Sequence, residues 1–133
     1  MSDASQGLAA ILLLSLVTVE TGGLYLVRVV TRRGVVTPFQ EKFARAGHAH
    51  AAVLLLLGLA IQPYADAAGL DGLLGWVARA GVPVAALLMP AGFFFSSMGA
   101  GRDRPNGLIG LVYAGAVLLA AGLTTLGVGL LVA

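Results

Sequence analysis

Three ionisable residues, Glu20, His48 and His50, lie inside stretches that are otherwise apolar. At membrane depth such a group costs about 2.5–3.5 kcal/mol or more, and it faces a partner, a cavity or a cofactor. The histidines occur in Phe-Ala-Arg-Ala-Gly-His-Ala-His-Ala-Ala, residues 43–52. Two positions on a helix are about 200° apart, so the rings leave nearly opposite faces and cannot grip one ion together. The i, i+4 pairing of an HExxH zinc site is absent. Each ring therefore has its own task. His50 shares a stripe with Ala46, Gly47, Val53, Leu54 and Leu57, and His48 shares one with Ala44, Ala51, Ala52 and Leu55. One imidazole per chain suits axial ligation of the iron of a b-type haem in an apolar crevice between helices or subunits. The other would hydrogen-bond across the bundle, with Glu20 as a candidate partner, and the pattern leaves open which histidine ligates.

Other polar residues are placed to join them. Ser96 and Ser97 close the third apolar block, and Asn106, Gly110 and Tyr113, at i, i+4 and i+7, form one stripe at the start of the fourth. Glu20 lies about 15 Å from the basic end of the first block, and the histidines about 8–10 Å into the second. All four helices can thus send polar groups to one layer. Serines in helices more often bond their own backbone, and the Phe93-Phe94-Phe95 run serves as lipid-facing filler or as pocket wall.

The elements that must position these groups follow from composition. Of 133 residues, 59% are hydrophobic and 11% charged, and the mean hydropathy is +0.96. A soluble domain of this size could not bury so much apolar surface. A helix crossing a bilayer needs about 20 apolar residues, and four such blocks are present, at about 7–30, 43–64, 81–98 and 106–132. The reading is an all-α, four-transmembrane-helix bundle in a single domain, with short connections and antiparallel neighbours. The first block follows an acidic start without the basic region of a signal peptide, and so reads as a retained span. Leu70 to Ala80, with Asp71, Trp76 and Arg79, has interfacial composition, which puts the start of the third span near Gly81 and Pro83.

Arg28, Arg32, Arg33, Lys42, Arg45, Arg102 and Arg104, seven of the eight basic residues, fall at one end of the bundle, opposite Asp66 and Asp71. The positive-inside tendency makes that end cytoplasmic and both termini external, as in a multi-pass protein of a bacterial inner membrane. The net charge of +2 is too small and too scattered for a nucleic-acid partner. With no cysteine, disulfides, thiolate metal sites and iron–sulfur clusters are excluded. Glycines within the spans, together with the Ala116 and Ala120 pair, let helices approach closely in a compact bundle or homo-oligomer. Pro90 removes a backbone donor from the third span and can open a pocket on the cytoplasmic half.

Across most of its length the chain resembles the styrene oxide isomerase family of four-helix membrane proteins. The likeness is carried by Arg45-Ala-Gly-His48, or equally by Ala49-His50-Ala51-Ala52, against that family's Ala-Arg-Ala-His-Ser-Gly. A second part is Gly92-Phe-Phe-Phe-Ser96, similar to the family's Gly-Phe-Tyr-Leu-Phe-Ser, followed by an Arg/Pro/Asn-containing loop and a Gly-rich last helix. The resemblance implies a homotrimer with haem b held between subunits, and a small apolar epoxide isomerised to an aldehyde with the haem iron as Lewis acid. The family's active-site tyrosine falls at Phe94, its span-two asparagine at Leu54 or Leu56, and its basic tail implies the opposite orientation. On this reading His48, His50 and Ser96 contact the cofactor, and Glu20, Phe94, Asn106 and Tyr113 are pocket groups for the reaction. Two other classes remain: a proton or cation transporter using Glu20 and the histidines, and an accessory membrane subunit within the lipid.

Overall fold

The computed structural model describes residues 1–31 and 36–133. Arg32 and Arg33, assigned above to the basic flank, lie outside the described residues. Four helices are long and apolar enough to cross a membrane. They are α1 (Asp3–Thr31), α2 (Pro38–Ala60), α4 (Gly72–Ser97) and α5 (Gly110–Val132), the last entered through a 3-10 turn at Gly107–Ile109. A short helix α3 (Gln62–Ala67) follows α2. No strand occurs among the described residues.

The helix ends explain two departures from the expected spans. α2 starts at Pro38 instead of Phe43, because Thr37-Pro-Phe-Gln40 is a capping box with proline in the first turn. The Thr37 hydroxyl accepts from Gln40 N at 3.1 Å, and the Gln40 carbonyl oxygen accepts from Thr37 N at 3.1 Å. α4 starts at Gly72, nine residues before the expected Gly81, and carries both Pro83 and Pro90 inside it. Interfacial composition did not break the helix, because its one cation is satisfied: Arg79 donates to Asp66 Oδ1 at 2.8 Å and to Ser5 Oγ at 2.9 Å.

Proline within a helix leaves the carbonyl four residues earlier without its donor. For Pro83 that carbonyl is Arg79 O, and the fully buried Gln62 supplies the missing donor, its Nε2 reaching Arg79 O at 3.2 Å and Gly58 O at 2.8 Å. Gln62 thus replaces the donor that Pro83 removes from α4. Asp66 lies in α3, beyond the 23 residues of α2, which alone span about 34 Å. The Ser2 hydroxyl and amide, the Ser5 hydroxyl and Arg79 all donate to its carboxylate at 2.7–2.8 Å. This cluster ties the start of α1 to α3 and α4.

α4 is the central helix, packed against α2 on one side and α5 on the other, while α1 leans on α2 and barely meets α4. In lipid, association rests on close packing. A Cβ at Gly81 would lie 2.9 Å from Gly122 Cα, and one at Gly92 would lie 2.7 Å from Val112 N. The buried face of α5 is therefore Gly115, Gly122, Leu126 and Gly129. Within one chain the Ala116 and Ala120 pair is not packed against another helix, since both are exposed. Leu12, Leu54, Leu55, Ala86 and Met89 form the core where α1, α2 and α4 meet.

Gln62→Leu keeps the volume but removes both donors, leaving Arg79 O unpaired at a cost of about 1–3 kcal/mol. The detergent-solubilised variant is expected to melt several degrees below the parent; an unchanged melting temperature would contradict the bridging role.

Candidate functional site

α2 presents its two histidines to different neighbours. His48 turns to α1, where Gly22 and Gly23 leave room for its ring: a Cβ at Gly22 would lie 3.3 Å from His48 Nδ1, and one at Gly23 3.5 Å from Cε1. His48 is half-buried, and no hydrogen bond to its ring is formed among the described residues. The ring fits by shape alone.

His50 turns toward α4 and the outer surface. Its Nδ1 lies 2.7 Å from Ala46 O. A carbonyl can only accept, so Nδ1 carries the proton and the Nε2 lone pair is left unused. The Phe93 ring, with its centroid 4.9 Å away and tilted 38°, fixes the imidazole plane, and Phe43 packs edge-on against Phe93 at 5.5 Å. Beside His50, Ala49, Val53 and Leu54 line a shallow hollow of about 190 Å³. This falls below the roughly 300–1,000 Å³ of sites that enclose a ligand. One chain alone supplies only part of such a wall.

Gly47 immediately precedes His48, and a Cβ there would come within 3.0 Å of Phe94 Cε2 and 3.2 Å of Phe93 Cβ. The glycine in Arg-Ala-Gly-His thus admits the two phenylalanines. Phe93 goes to the His50 side. Phe94 lines a larger cleft, about 680 Å³, between the basic ends of α1 and α4, together with Thr21, Tyr25, Ala44 and Gly99. It lies on the half of the bundle where Pro90 was expected to open a pocket.

The expected convergence of polar groups into one layer does not form. Glu20 is exposed and makes no hydrogen bond or ion pair with either histidine among the described residues. Tyr113 is 67% exposed, because the glycines that dock α5 begin at Gly115, about 200° away around the helix. Asn106 is a staple: its backbone N–H donates to Ser96 O at 2.9 Å, its Nδ2 donates to Phe95 O at 3.0 Å, and its Oδ1 accepts from Leu108 N at 2.8 Å. Ser96 is fully buried and directs its hydroxyl to Phe93 O, while Ser97 donates to Phe94 O at 3.0 Å, both within their own helix. No group of three or more His, Asp or Glu side chains suited to a metal ion occurs among the described residues.

Two polar assemblies escaped the sequence reading. The Thr37–Gln40 box also ties α2 to the loop after α4, where Gln40 Nε2 donates to Ser97 O at 2.9 Å and to Gly99 O at 2.7 Å. Its T-x-x-Q pattern was a legible signal. The Ser2, Ser5, Asp66 and Arg79 cluster left only a faint one, opposite charges 13 residues apart in one connection.

Family models, curated proteins and solved structures were each compared with the chain, and none matches it. The contact of His48 with α1 has a direct test. Gly22→Ala is expected to lower the melting temperature by a few degrees, and His48→Ala in the same chain to remove most of that loss; simple additivity would contradict the contact.

Proposed function

We propose that this chain is a haem b-binding membrane protein in which His50 Nε2 is the axial ligand, at a site completed by a further copy of the chain. The observation that carries the reading is the Nδ1–Ala46 O hydrogen bond, which leaves Nε2 bare at the bundle surface. Metal-ligating histidines are oriented by a bond of this kind, which sets the tautomer and raises the basicity of the free nitrogen. The small, apolar surroundings of Ala49, Val53 and Leu54 suit the edge of a porphyrin, and the modest hollow calls for a second wall. The likeness to styrene oxide isomerases supports haem binding and a homotrimer, and it fits His48 and His50 equally; the choice of His50 rests on the Ala46 O bond.

His50 would hold the haem, which would supply Lewis-acid chemistry toward a small apolar epoxide, as the resemblance implies. The chain's own part is to hold and exclude. Ala46 O keeps the proton on Nδ1, Phe93 fixes the ring plane, and apolar side chains keep water out. Phe94, the expected position of the family's tyrosine, lines the separate α1–α4 cleft and not the His50 hollow, so it takes no part at this site. The same reading places the protein in a bacterial inner membrane with external termini, supported by Arg28, Lys42, Arg45, Arg102 and Arg104 at one end and Asp66 and Asp71 at the other. The transporter reading draws less support, because Glu20 and the histidines line no common path.

The test is the absorption spectrum of purified protein mixed with haem. A Soret band of a histidine-ligated haem is expected in the parent and in His48→Ala, and its loss in His50→Ala. A spectrum indifferent to His50→Ala, or abolished only by His48→Ala, would overturn the assignment.

A further inference from the structure

The cleft between α1 and α4 is separate from the His50 surface and has features that specify its occupant. Its wall on α1 runs from Thr18 to Val29, about 16 Å along the helix. That length matches one leaflet of a hydrocarbon core about 30 Å thick. α1 and α4 hardly touch, which leaves the space between them unfilled by side chains of either helix. Its polar side chains are largely engaged within the chain: Thr18 and Thr21 donate to Ser15 O and Thr18 O at 2.6 Å, Ser97 donates to Phe94 O, and Gln40 spans to Ser97 O and Gly99 O. What remains is an apolar slot of leaflet length with the Tyr25 hydroxyl on one wall.

The end of the slot is cationic. Met98 and Gly99 line it there, and Arg102 Nε donates to Met98 O at 2.9 Å, which holds the guanidinium beside Gly99. The Thr37 hydroxyl binds Arg102 O and fixes the backbone. Among the described residues Arg102 makes no ion pair; Glu41 is engaged with Arg45 at 2.7 Å, and Asp103 is exposed. Arg28 stands exposed at the same end, whereas Lys42 lies on the face of α2 opposite the cleft-lining Gln40 and Ala44. A guanidinium with its Nε committed still offers its terminal nitrogens to a phosphate.

We infer that this cleft is a binding site for an anionic phospholipid, with one acyl chain in the slot and its phosphate on Arg102. The slot's length and largely apolar walls suit the chain, and Arg102 beside Gly99, with Arg28 on the last turn of α1, suits a headgroup without a balancing ammonium. The site does not depend on the haem assignment.

The full-length protein in detergent is equilibrated with equal amounts of phosphatidylglycerol and phosphatidylcholine bearing the same acyl chains, and retained lipid is read by native mass spectrometry. Roughly tenfold preferential retention of phosphatidylglycerol is expected. Arg102→Gln, which keeps a donor for Met98 O but no charge, is expected to bring the two lipids to near parity, and Thr21→Trp, which fills the slot, to reduce retention of both. Equal retention by the parent, or a preference that survives Arg102→Gln, overturns the proposal. Displacement of the lipid by millimolar inorganic phosphate would show a free-anion site, and a second copy of the chain retained in place of lipid would show a protein interface; either result overturns it. Because the readout needs no haem, its failure is distinct from a failure of the His50 assignment.

Discussion

Lipid offers no hydrogen bonds, so a polar group inside a bilayer must find its partner within the protein. Much of this structure follows from that constraint. Pro83 frees Arg79 O, and Gln62, from the far end of the α2–α3 connection, reaches it. Arg79 can sit in α4 because Asp66 and Ser5 meet it. The end of α4 is closed by Asn106 and by the Gln40 side chain, each spending its amide on exposed carbonyls. Against this background a few groups stand apart among the described residues: Gln62 Oε1 is buried without a partner, Glu20 makes no hydrogen bond, His50 satisfies one ring nitrogen and leaves the other bare, and His48 packs on glycines with no bonded partner.

The packing decides where such groups can act. Glycines bring α4 and α5 to backbone contact at Gly81 and Gly122, and this makes α4 the spine of the bundle. α1 is held at its start by the Asp66 cluster and along its length by α2, and so diverges from α4 toward the basic end. That divergence produces the leaflet-length cleft. On the other side of α2, the small residues around His50 leave a shallow recess that a neighbouring copy can complete. One helix thus divides two surfaces of different character, an apolar recess with a nitrogen lone pair and an apolar slot with a cationic end.

Much of the architecture was legible in the sequence because the cause was local. Four apolar blocks give four spanning helices, and the 200° offset of His48 and His50 sends them to different neighbours whatever the bundle geometry. Self-bonding of Ser96 and Ser97 is equally a property of their own helix. What was not legible depended on distant partners. Composition put a boundary near Gly81, because nothing in residues 70–80 reveals that Arg79 meets Asp66 and Ser5. The Asn106, Gly110 and Tyr113 stripe does not form, because Asn106 is extended backbone ahead of the 3-10 turn, and periodicity does not say which face of α5 docks; the glycines at 115, 122 and 129 decided that. Glu20 failed to meet the histidines for the same reason.

The central claim is that His50 Nε2 is a lone pair held ready for iron. Nitrogen-15 NMR of histidine-labelled protein in detergent, before and after adding haemin, tests it most directly. The account predicts His50 protonated on Nδ1 and bare on Nε2, with the Nε2 resonance broadened beyond detection by haemin while His48 persists. A proton on His50 Nε2, or broadening confined to His48, would contradict it.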